Sequence, residues 1–146
     1  MLFGKRERKV KRILIVEDEP LTAFDNETTL KDGGYEVVET VDGFDEALKA
    51  IGREQVDLIL SDVRLRSQQT GIDLARAAKE KGIPTLFATG HAYPQAGEVA
   101  VGYLMKPYSE RQLKAALDCV DKLLSGAKVK CPKGLTLFDP ATGEPV

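Results

Sequence analysis

The feature that most restricts the fold of this chain is a short apolar run that ends in a carboxylate. Residues 56–62 read VDLILSD, with apolar side chains at four of the first five positions. A run this short and this rich in Leu and Ile predicts a strand covered on both faces, as in a parallel sheet between layers of helices. Asp62 would then emerge at the carboxyl edge of the sheet, where ligands bind in open α/β folds. We therefore expect chemistry at Asp62 if other functional groups converge on it.

The rest of the chain alternates predicted strands with predicted helices. The strands cover residues 13–16, 35–39, 56–62, 84–88 and 101–105. The helices follow Pro20, Asp42, the polar loop 64–70 and Ser109, where the sequence has the spacing of a capping box. This alternation predicts a parallel sheet with right-handed crossovers and helices on both faces. Residues 90–100 hold two glycines and a proline where a crossover helix is expected, so we predict a loop or at most one helical turn there.

Composition limits the class of protein. At 146 residues the chain fits one domain, and its net charge of −2 argues against nucleic acid as the main partner. No apolar run approaches the ~20 residues that a spanning helix needs, and the basic N-terminus lacks the apolar stretch of a secretory signal. We expect a cytoplasmic protein without membrane contact. Residues 1–11 would form a basic, solvated extension, residues 12–126 the domain, and residues 127–146 a tail without regular elements.

Five side chains that carry acid, hydroxyl or amine groups come at or just after the predicted strands. They are Glu17, Asp18, Asp62, Thr89 and Lys106. Parallel strands end on the same rim of a sheet, so we expect these groups to gather there. Two carboxylates about 4 Å apart repel by roughly 4 kcal/mol at an effective dielectric near 20, so three together call for a cation. Mg²⁺ is commonly bound by one or two carboxylates together with a phosphate oxygen.

Groups of these kinds suit the transfer of a phosphoryl group. This reaction requires mainly positioning and compensation of charge on the equatorial oxygens, and a carboxylate can serve as the covalent acceptor. The residues alone therefore lead to the hypothesis of a protein that takes a phosphoryl group onto Asp62. Acidic residues at strand ends also serve as solvated helix caps, and this alternative stays open for Glu17 and Asp18. It explains less well why Thr89 and Lys106 reach the same rim.

At these positions the sequence resembles the receiver domains of bacterial two-component response regulators. The motifs, in chain order, are Val-Glu-Asp-Glu at 16–19, Asp-Leu-Ile-Leu-Ser-Asp at 57–62, Ala-Thr-Gly at 88–90 and Lys-Pro-Tyr at 106–108. The resemblance runs from about residue 12 to residue 124. It implies a flavodoxin-like (βα)₅ fold, a doubly wound parallel sheet with strand order 2-1-3-4-5, in which the fourth helix is here shortened or replaced by a loop.

The resemblance also implies a ligand set for Mg²⁺. Asp62 would be the phosphoacceptor and would bind the metal directly, together with Asp18. Glu17 would bind the metal directly or through water, and Arg64 would supply its backbone carbonyl. The loop after Asp62 reads Val-Arg-Leu-Arg, with arginine where the family usually has proline, so we expect a looser turn there.

Further positions match the part of the family motif that senses the phosphoryl group. Thr89 and Lys106 would contact the phosphoryl oxygens, and the bond between Lys106 and Pro107 is expected to be cis. Tyr103 stands where the family has its aromatic switch residue, with a plain half-buried strand tyrosine as the alternative. Residues 87–90, Phe-Ala-Thr-Gly, with a tyrosine nearby, resemble the FATGUY subgroup of single-domain receivers in alphaproteobacterial signalling.

The function that the resemblance implies is that of a stand-alone receiver. It would accept its phosphoryl group from a sensor histidine kinase or a histidine phosphotransfer protein and act by protein contact, as a monomer or weak homodimer and not as an enzyme. We expect phosphorylation to draw Thr89 toward Asp62 and to order residues 90–100. One alternative is a pseudo-receiver that only binds partners. Another is a phosphatase of the haloacid dehalogenase type, but that family has a second aspartate two residues after the first, and the residue two beyond Asp18 is Pro20.

Overall fold

The fold is a six-stranded sheet between two layers of helices. The computed structural model describes residues 7–65 and 70–146. Within them the strands are β1 (Arg12–Val16), β2 (Glu36–Val41), β3 (Leu58–Asp62), β4 (Thr85–Thr89), β5 (Gly102–Met105) and β6 (Leu135–Leu137). The helices of the same residues are α1 (Pro20–Asp32), α2 (Phe44–Arg53), α3 (Gly71–Glu80) and α4 (Glu110–Leu124). Among these helices, none combines the length and the apolar composition that crossing a bilayer requires.

The strand order is β2-β1-β3-β4-β5-β6. The first five strands pair in parallel, and β6 pairs antiparallel with β5. The predicted order 2-1-3-4-5 and the flavodoxin-like fold class are therefore confirmed. Strand β6 extends the sheet beyond the predicted edge.

Alternate side chains of the central strands pack into two cores on opposite faces of the sheet. On β1, Ile13 and Ile15 belong to the core that includes α1 and α4, whereas Leu14 and Val16 belong to the core that includes α2 and α3. All four side chains are fully buried. Burial on both faces explains why these four consecutive positions are all apolar, instead of every second one.

The first and last helices begin with the signals that the sequence predicts. Pro20 is the first residue of α1, so a turn of three residues separates this helix from β1, and Glu17 and Asp18 lie in that turn. At α4, Ser109 and Gln112 form the predicted capping box: the side chain of each accepts a hydrogen bond from the backbone N–H of the other. Both helix starts lie at the carboxyl edge of the sheet.

The connection between β4 and β5 is short, as predicted. Within residues 90–100 the structure has a 3₁₀ helix, Pro94–Glu98, and no α-helix. Ala96 of this helix is buried against Phe87 of β4. Gly97 lies so close to the C-terminal segment that a β-carbon on it would overlap the carbonyl oxygen of Gly143. The space of a crossover helix is thus partly taken by residues from the end of the chain.

The N-terminal segment differs from the expected solvated extension. Val10 is 1% exposed. The backbone N–H groups of Lys9 and Val10 donate to one carboxylate oxygen of Asp121 at 2.7 and 2.9 Å. Asp121 is itself buried on α4, and a buried charge is unfavourable unless it is hydrogen-bonded. The two N–H groups therefore stabilise the carboxylate. The remainder of the expectation, at residues 1–6, lies outside the described residues.

The C-terminal segment also differs from the expectation of a tail without regular elements. Leu135 and Leu137 of β6 are buried, and so is Phe138 directly after it. Hydrogen bonds with β5 and burial of these apolar side chains account for the ordered strand. A strand of three residues has too few positions to show a period of two in the sequence.

Candidate functional site

The carboxyl edge of the sheet brings the predicted polar side chains together. Glu17 and Asp18 follow β1, Asp62 ends β3, Thr89 ends β4, and Lys106 follows β5. The register of the parallel strands sets Asp62 beside Ala88 and Thr89 beside Met105, so neighbouring strands end at the same level. The sequence prediction depended on this common level, which places chemistry from four strands on one rim.

A lysine links two of the three acids. Lys106 Nζ lies 3.0 Å from Glu17 Oε1 and 3.0 Å from Asp62 Oδ2. The side chain of Glu17 is only 3% exposed, whereas those of Asp62 and Lys106 are 20% and 27% exposed. The ammonium therefore lies between a buried carboxylate and one that faces the solvent, and it compensates part of the negative charge of both.

The environment of the site shifts the pKa values of Glu17 and Lys106. Burial raises the pKa of Glu17 above its ordinary value of 4.5, although the hydrogen bond from Lys106 works in the opposite direction. Burial alone would lower the pKa of Lys106, but hydrogen bonds with Asp62 and Glu17 outweigh it and the pKa rises above 10.5. The lysine is thus held in its charged form by the acids around it.

The three acids form a cluster that suits a metal ion. One carboxylate oxygen from each of Glu17, Asp18 and Asp62 lies within 4.8 Å of the others. Two oxygens on opposite sides of Mg²⁺ are separated by about 4.2 Å, twice the metal–oxygen distance of ~2.1 Å. Oxygens that lie within 4.8 Å of one another are close enough for small side-chain shifts to bring them to a common ion. Hard carboxylate oxygens are also the ligand type that Mg²⁺ prefers.

An open cleft of about 490 Å³ lies directly in front of Asp62. Its walls are Asp62, Val63, Arg64, Thr89, Gly90, His91, Tyr93 and Lys106. The backbone N–H of Arg64 donates to Asp62 Oδ1 at 3.1 Å, and the backbone N–H of His91 donates to Thr89 Oγ1 at 3.2 Å. The peptide bond between Lys106 and Pro107 is cis, as the resemblance implied. Of the loop that follows Asp62, residues 66–69 lie outside the described residues.

Tyr103 does not line this cleft. It is 7% exposed and packs against Phe138, with ring centroids 6.1 Å apart and ring planes inclined by 46°. Val63, Phe87 and Ala96 belong to the same apolar cluster. The predicted switch tyrosine is therefore buried beneath Phe138. The sequence pattern did not indicate that the end of the chain would cover it.

Two residues beside the site were not singled out from the sequence. The hydroxyl of Tyr108 donates to Asn26 Oδ1 at 2.9 Å, and burial raises the pKa of that hydroxyl, with smaller effects from Lys106, Glu17 and Asp62. This pair joins α1 to the Lys-Pro-Tyr turn. Tyr108 belongs to the Lys-Pro-Tyr motif, so the sequence could have indicated a role near the site. Asn26 on α1 belongs to no motif.

The comparison with known families decides the identity of the domain. The family model of the response regulator receiver domain matches residues 13–118. The chain belongs to this family. The match covers the five parallel strands, except for Arg12 at the start of β1, and includes Glu17, Asp18, Asp62, Thr89 and Lys106. Receiver domains are signalling domains.

Individual relatives agree with this assignment. The transcriptional regulatory protein LytR of Staphylococcus aureus is 34% identical over 115 residues, which is 75% of this chain and 46% of LytR. A CheY-like receiver domain from Methanospirillum hungatei has a TM-score of 0.67 at 29% identity and covers 80% of this chain and 95% of its own. The receiver domain of sensor histidine kinase PA1611 from Pseudomonas aeruginosa has a TM-score of 0.64 at 27% identity, with 75% and 95% covered, and was solved with magnesium in its active site cleft. This chain spans about half the length of the curated relatives it matches.

Proposed function

We propose that this receiver domain accepts a phosphoryl group on Asp62 from a phosphohistidine of a sensor histidine kinase or of a histidine phosphotransfer protein. The supporting observation is the position of Asp62 at an open cleft, next to the ammonium of Lys106 and two further carboxylates. In the transfer step an oxygen of Asp62 forms the new P–O bond while the P–N bond to the donor imidazole breaks. The electron pair of the broken bond stays on the imidazole nitrogen, and the product is an acyl phosphate.

Lys106 and Thr89 are the proposed contacts of the transferred group. Lys106 Nζ is 3.0 Å from Asp62 Oδ2, so an oxygen of a phosphoryl group on Asp62 comes within reach of the ammonium. Thr89 ends the neighbouring strand and lines the same cleft, where its hydroxyl can donate a hydrogen bond. Both groups would compensate negative charge on the equatorial oxygens of the transferred group.

The proposed ligands of Mg²⁺ are Glu17, Asp18, Asp62 and the backbone carbonyl of Arg64. A bound Mg²⁺ would compensate the charge of these carboxylates and of the phosphoryl oxygens. The support from this chain is the cluster of three acid oxygens within 4.8 Å. The magnesium in the cleft of the related PA1611 receiver supports the same choice of ion.

We also propose that Thr89 and Tyr103 transmit the change. A Thr89 hydroxyl that turns toward a phosphoryl group on Asp62 would give up the hydrogen bond that it now accepts from the N–H of His91. Loss of this hydrogen bond would let residues 90–100 rearrange. Their 3₁₀ helix packs in the same apolar cluster as Tyr103, so the rearrangement would reach this tyrosine. The resulting signal would pass by protein contact.

The proposal extends to the location, partners and domain bounds of the chain. The chain would act in the cytoplasm as a phosphoacceptor, without nucleic acid or membrane as its partner, and as a monomer or weak homodimer. The receiver motifs would lie within residues 12–126, while the preceding segment adds Val10 to the core and residues 127–146 add β6 to the sheet. It promotes its own phosphorylation and dephosphorylation and converts no separate substrate.

Phosphotransfer tests the proposal directly. The wild type, Asp62→Asn and the matched control Asp45→Asn on the exposed face of α2 are incubated with acetyl phosphate, with Mg²⁺ or with a chelator, and analysed by intact-protein mass spectrometry. We expect the mass of one phosphoryl group on the wild type and on the control, with Mg²⁺ only. A wild type that never gains this mass would favour a pseudo-receiver. Steady release of phosphate from a small phosphate ester would favour a hydrolase.

A further inference from the structure

The C-terminal segment occupies a surface of the domain that has a distinct shape. We call residues 135–146 the C-terminal cover. Its strand β6 pairs with β5 over three residues, and the N–H of Phe138 continues the ladder to the carbonyl of Val101 at 2.8 Å. The cover then folds back on itself, because Val146 N–H donates to the carbonyl of Leu137 at 2.9 Å. The edge of β5 is thus filled by the chain itself.

The surface beneath the cover is adapted to an extended segment with an aromatic side chain. Phe138 is 1% exposed and fills a site made by Phe87, Ala96 and Tyr103. Backbone approaches the surface closely at two glycines. A β-carbon on Gly102 would overlap the carbonyl oxygen of Thr136, and one on Gly97 would overlap that of Gly143. Such close approach belongs to recognition of main chain, the mode in which a peptide adds a strand to a sheet edge.

The C-terminal cover is short, and its second half is exposed. Strand β6 is three residues long, and the residues after Phe138 are exposed except for the partly buried Gly143. The connection from α4 contains Gly126 and Gly134 at positive φ. A short terminal strand of this kind opens at a lower free energy than the core strands, so the surface beneath it can become free while the domain stays folded.

We propose that the edge of β5, together with the site of Phe138, is a binding surface for an extended partner segment, and that the C-terminal cover is its internal competitor. The partner pairs antiparallel with β5 and places an aromatic side chain against Tyr103, as Phe138 does now. The cover is tethered, so its effective concentration lies in the millimolar range that short flexible linkers give. A partner must therefore bind more tightly than the cover does at that concentration, or bind when the cover is detached. This inference does not depend on phosphorylation of Asp62.

A peptide with the sequence of residues 133–141 is the probe. It contains the Phe138 anchor and ends before Gly143. The full-length Phe138→Ala chain should bind this peptide at least 10-fold more tightly than the wild type, measured by fluorescence anisotropy, since its own cover lacks the anchor. A peptide in which this phenylalanine is alanine should bind at least 10-fold more weakly. Equal binding of the peptide to both chains would overturn the proposal.

Hydrogen exchange gives a second test that keeps the cover sequence intact. Gly97→Ala pushes against the carbonyl of Gly143, whereas the control Gly52→Ala on α2 meets nothing within 4 Å. We expect Gly97→Ala to speed exchange of the Phe138 and Val146 amides at least 10-fold and to leave the amides of α4 unchanged. A β-carbon on Gly97 also comes within 3.0 Å of the Phe138 ring, so exchange and not peptide binding is the measurement for this variant, and it tests the inference even if Phe138→Ala does not fold.

Three results of the exchange experiment and of light scattering would contradict the inference. Unchanged exchange at Phe138 in Gly97→Ala would show that the cover does not open in this way. An equal rise of exchange in β6 and in the central strands would make the cover an integral part of the fold. A wild-type dimer that exchanges residues 135–146 between copies would make a second copy, and not a peptide partner, the occupant of this edge.

Discussion

Replacement of Lys106 by methionine tests the electrostatic balance of the site. Methionine keeps an apolar stem of similar length but removes the ammonium that lies 3.0 Å from Glu17 Oε1 and 3.0 Å from Asp62 Oδ2. At an effective dielectric near 20, each pair at this distance is worth about 5–6 kcal/mol of Coulomb energy before desolvation is subtracted. The two carboxylates that remain repel each other. The variant is therefore expected to be less stable than the wild type.

The size of the loss follows from the exposure of the partners. Removing one partner of a fully buried ion pair typically costs about 3–5 kcal/mol. Lys106 and Asp62 retain 27% and 20% exposure, so solvent screens part of the interaction. We expect Lys106→Met to lower the free energy of unfolding by about 2–4 kcal/mol in urea titrations without divalent metal. The control Lys114→Met, which removes the exposed pair with Asp32, should change stability little.

Magnesium should reduce this loss if the acid cluster is a metal site. In the wild type the ammonium and the ion compete for oxygens of Glu17 and Asp62, whereas in Lys106→Met the ion meets them without a competitor. We expect the variant to bind Mg²⁺ about tenfold more tightly, which narrows the difference in stability by about 1.4 kcal/mol at saturation. A variant as stable as the wild type without metal, or one that binds Mg²⁺ no more tightly, would refute this reasoning.

The pH dependence of the same pair has a defined sign. The folded pKa of Lys106 is raised above its ordinary value of 10.5, so its stabilising contribution is complete below 10.5 and disappears as pH rises through the folded pKa. Wild type and Lys106→Met should therefore differ in stability at pH 7 and at pH 9. Their free energies of unfolding should converge only in strongly alkaline solution.

Three further substitutions extend these expectations. Glu17→Gln should stabilise the metal-free domain by about 0.5–2 kcal/mol at pH 7 and weaken Mg²⁺ binding. The reason is that burial raises the folded pKa of Glu17, so its ionised form destabilises the folded domain above that pKa. In urea titrations the gain in stability should vanish as pH falls toward 4.5. Asp121→Ala should cost about 2–3 kcal/mol in the same assay, because the N–H groups of Lys9 and Val10 lose their acceptor. Gly71→Ala should cost about 1–3 kcal/mol and slow phosphotransfer, because its β-carbon would overlap the carbonyl oxygen of Asp62; full activity and stability would contradict this.

The parts of the fold that the sequence predicted are those with a strong local pattern. Strands β1, β3 and β4 are buried on both faces, so their apolar runs are continuous and easy to recognise. The connection with Gly90, Pro94 and Gly97 was predicted to lack a full helix because these residues disfavour one, and it holds a 3₁₀ helix alone. Once the strands are placed, a parallel sheet delivers their ends to one rim without further information.

The parts that the sequence did not predict depend on contacts between distant segments. Val10 is buried because an acid 111 residues away on α4 accepts its N–H, and a basic run gives no sign of such a partner. Strand β6 exists because the edge of β5 is free and Phe138 finds a site beside Tyr103. Neither feature has a period or a motif of its own, so only the folded arrangement reveals them.

Strand β5 joins the two surfaces on which the proposals depend. Lys106 follows its last residue and reaches Asp62, while the N–H of Met105 donates to the carbonyl of Gly134 at 2.8 Å, directly before the C-terminal cover. The N–H of Lys106 also donates to the carbonyl of Thr89 at 2.8 Å. A shift of the ammonium toward a phosphoryl group therefore acts on a strand whose other edge holds β6. The end of β5 is hydrogen-bonded on both sides, so it is a physical connection between the cleft and the cover.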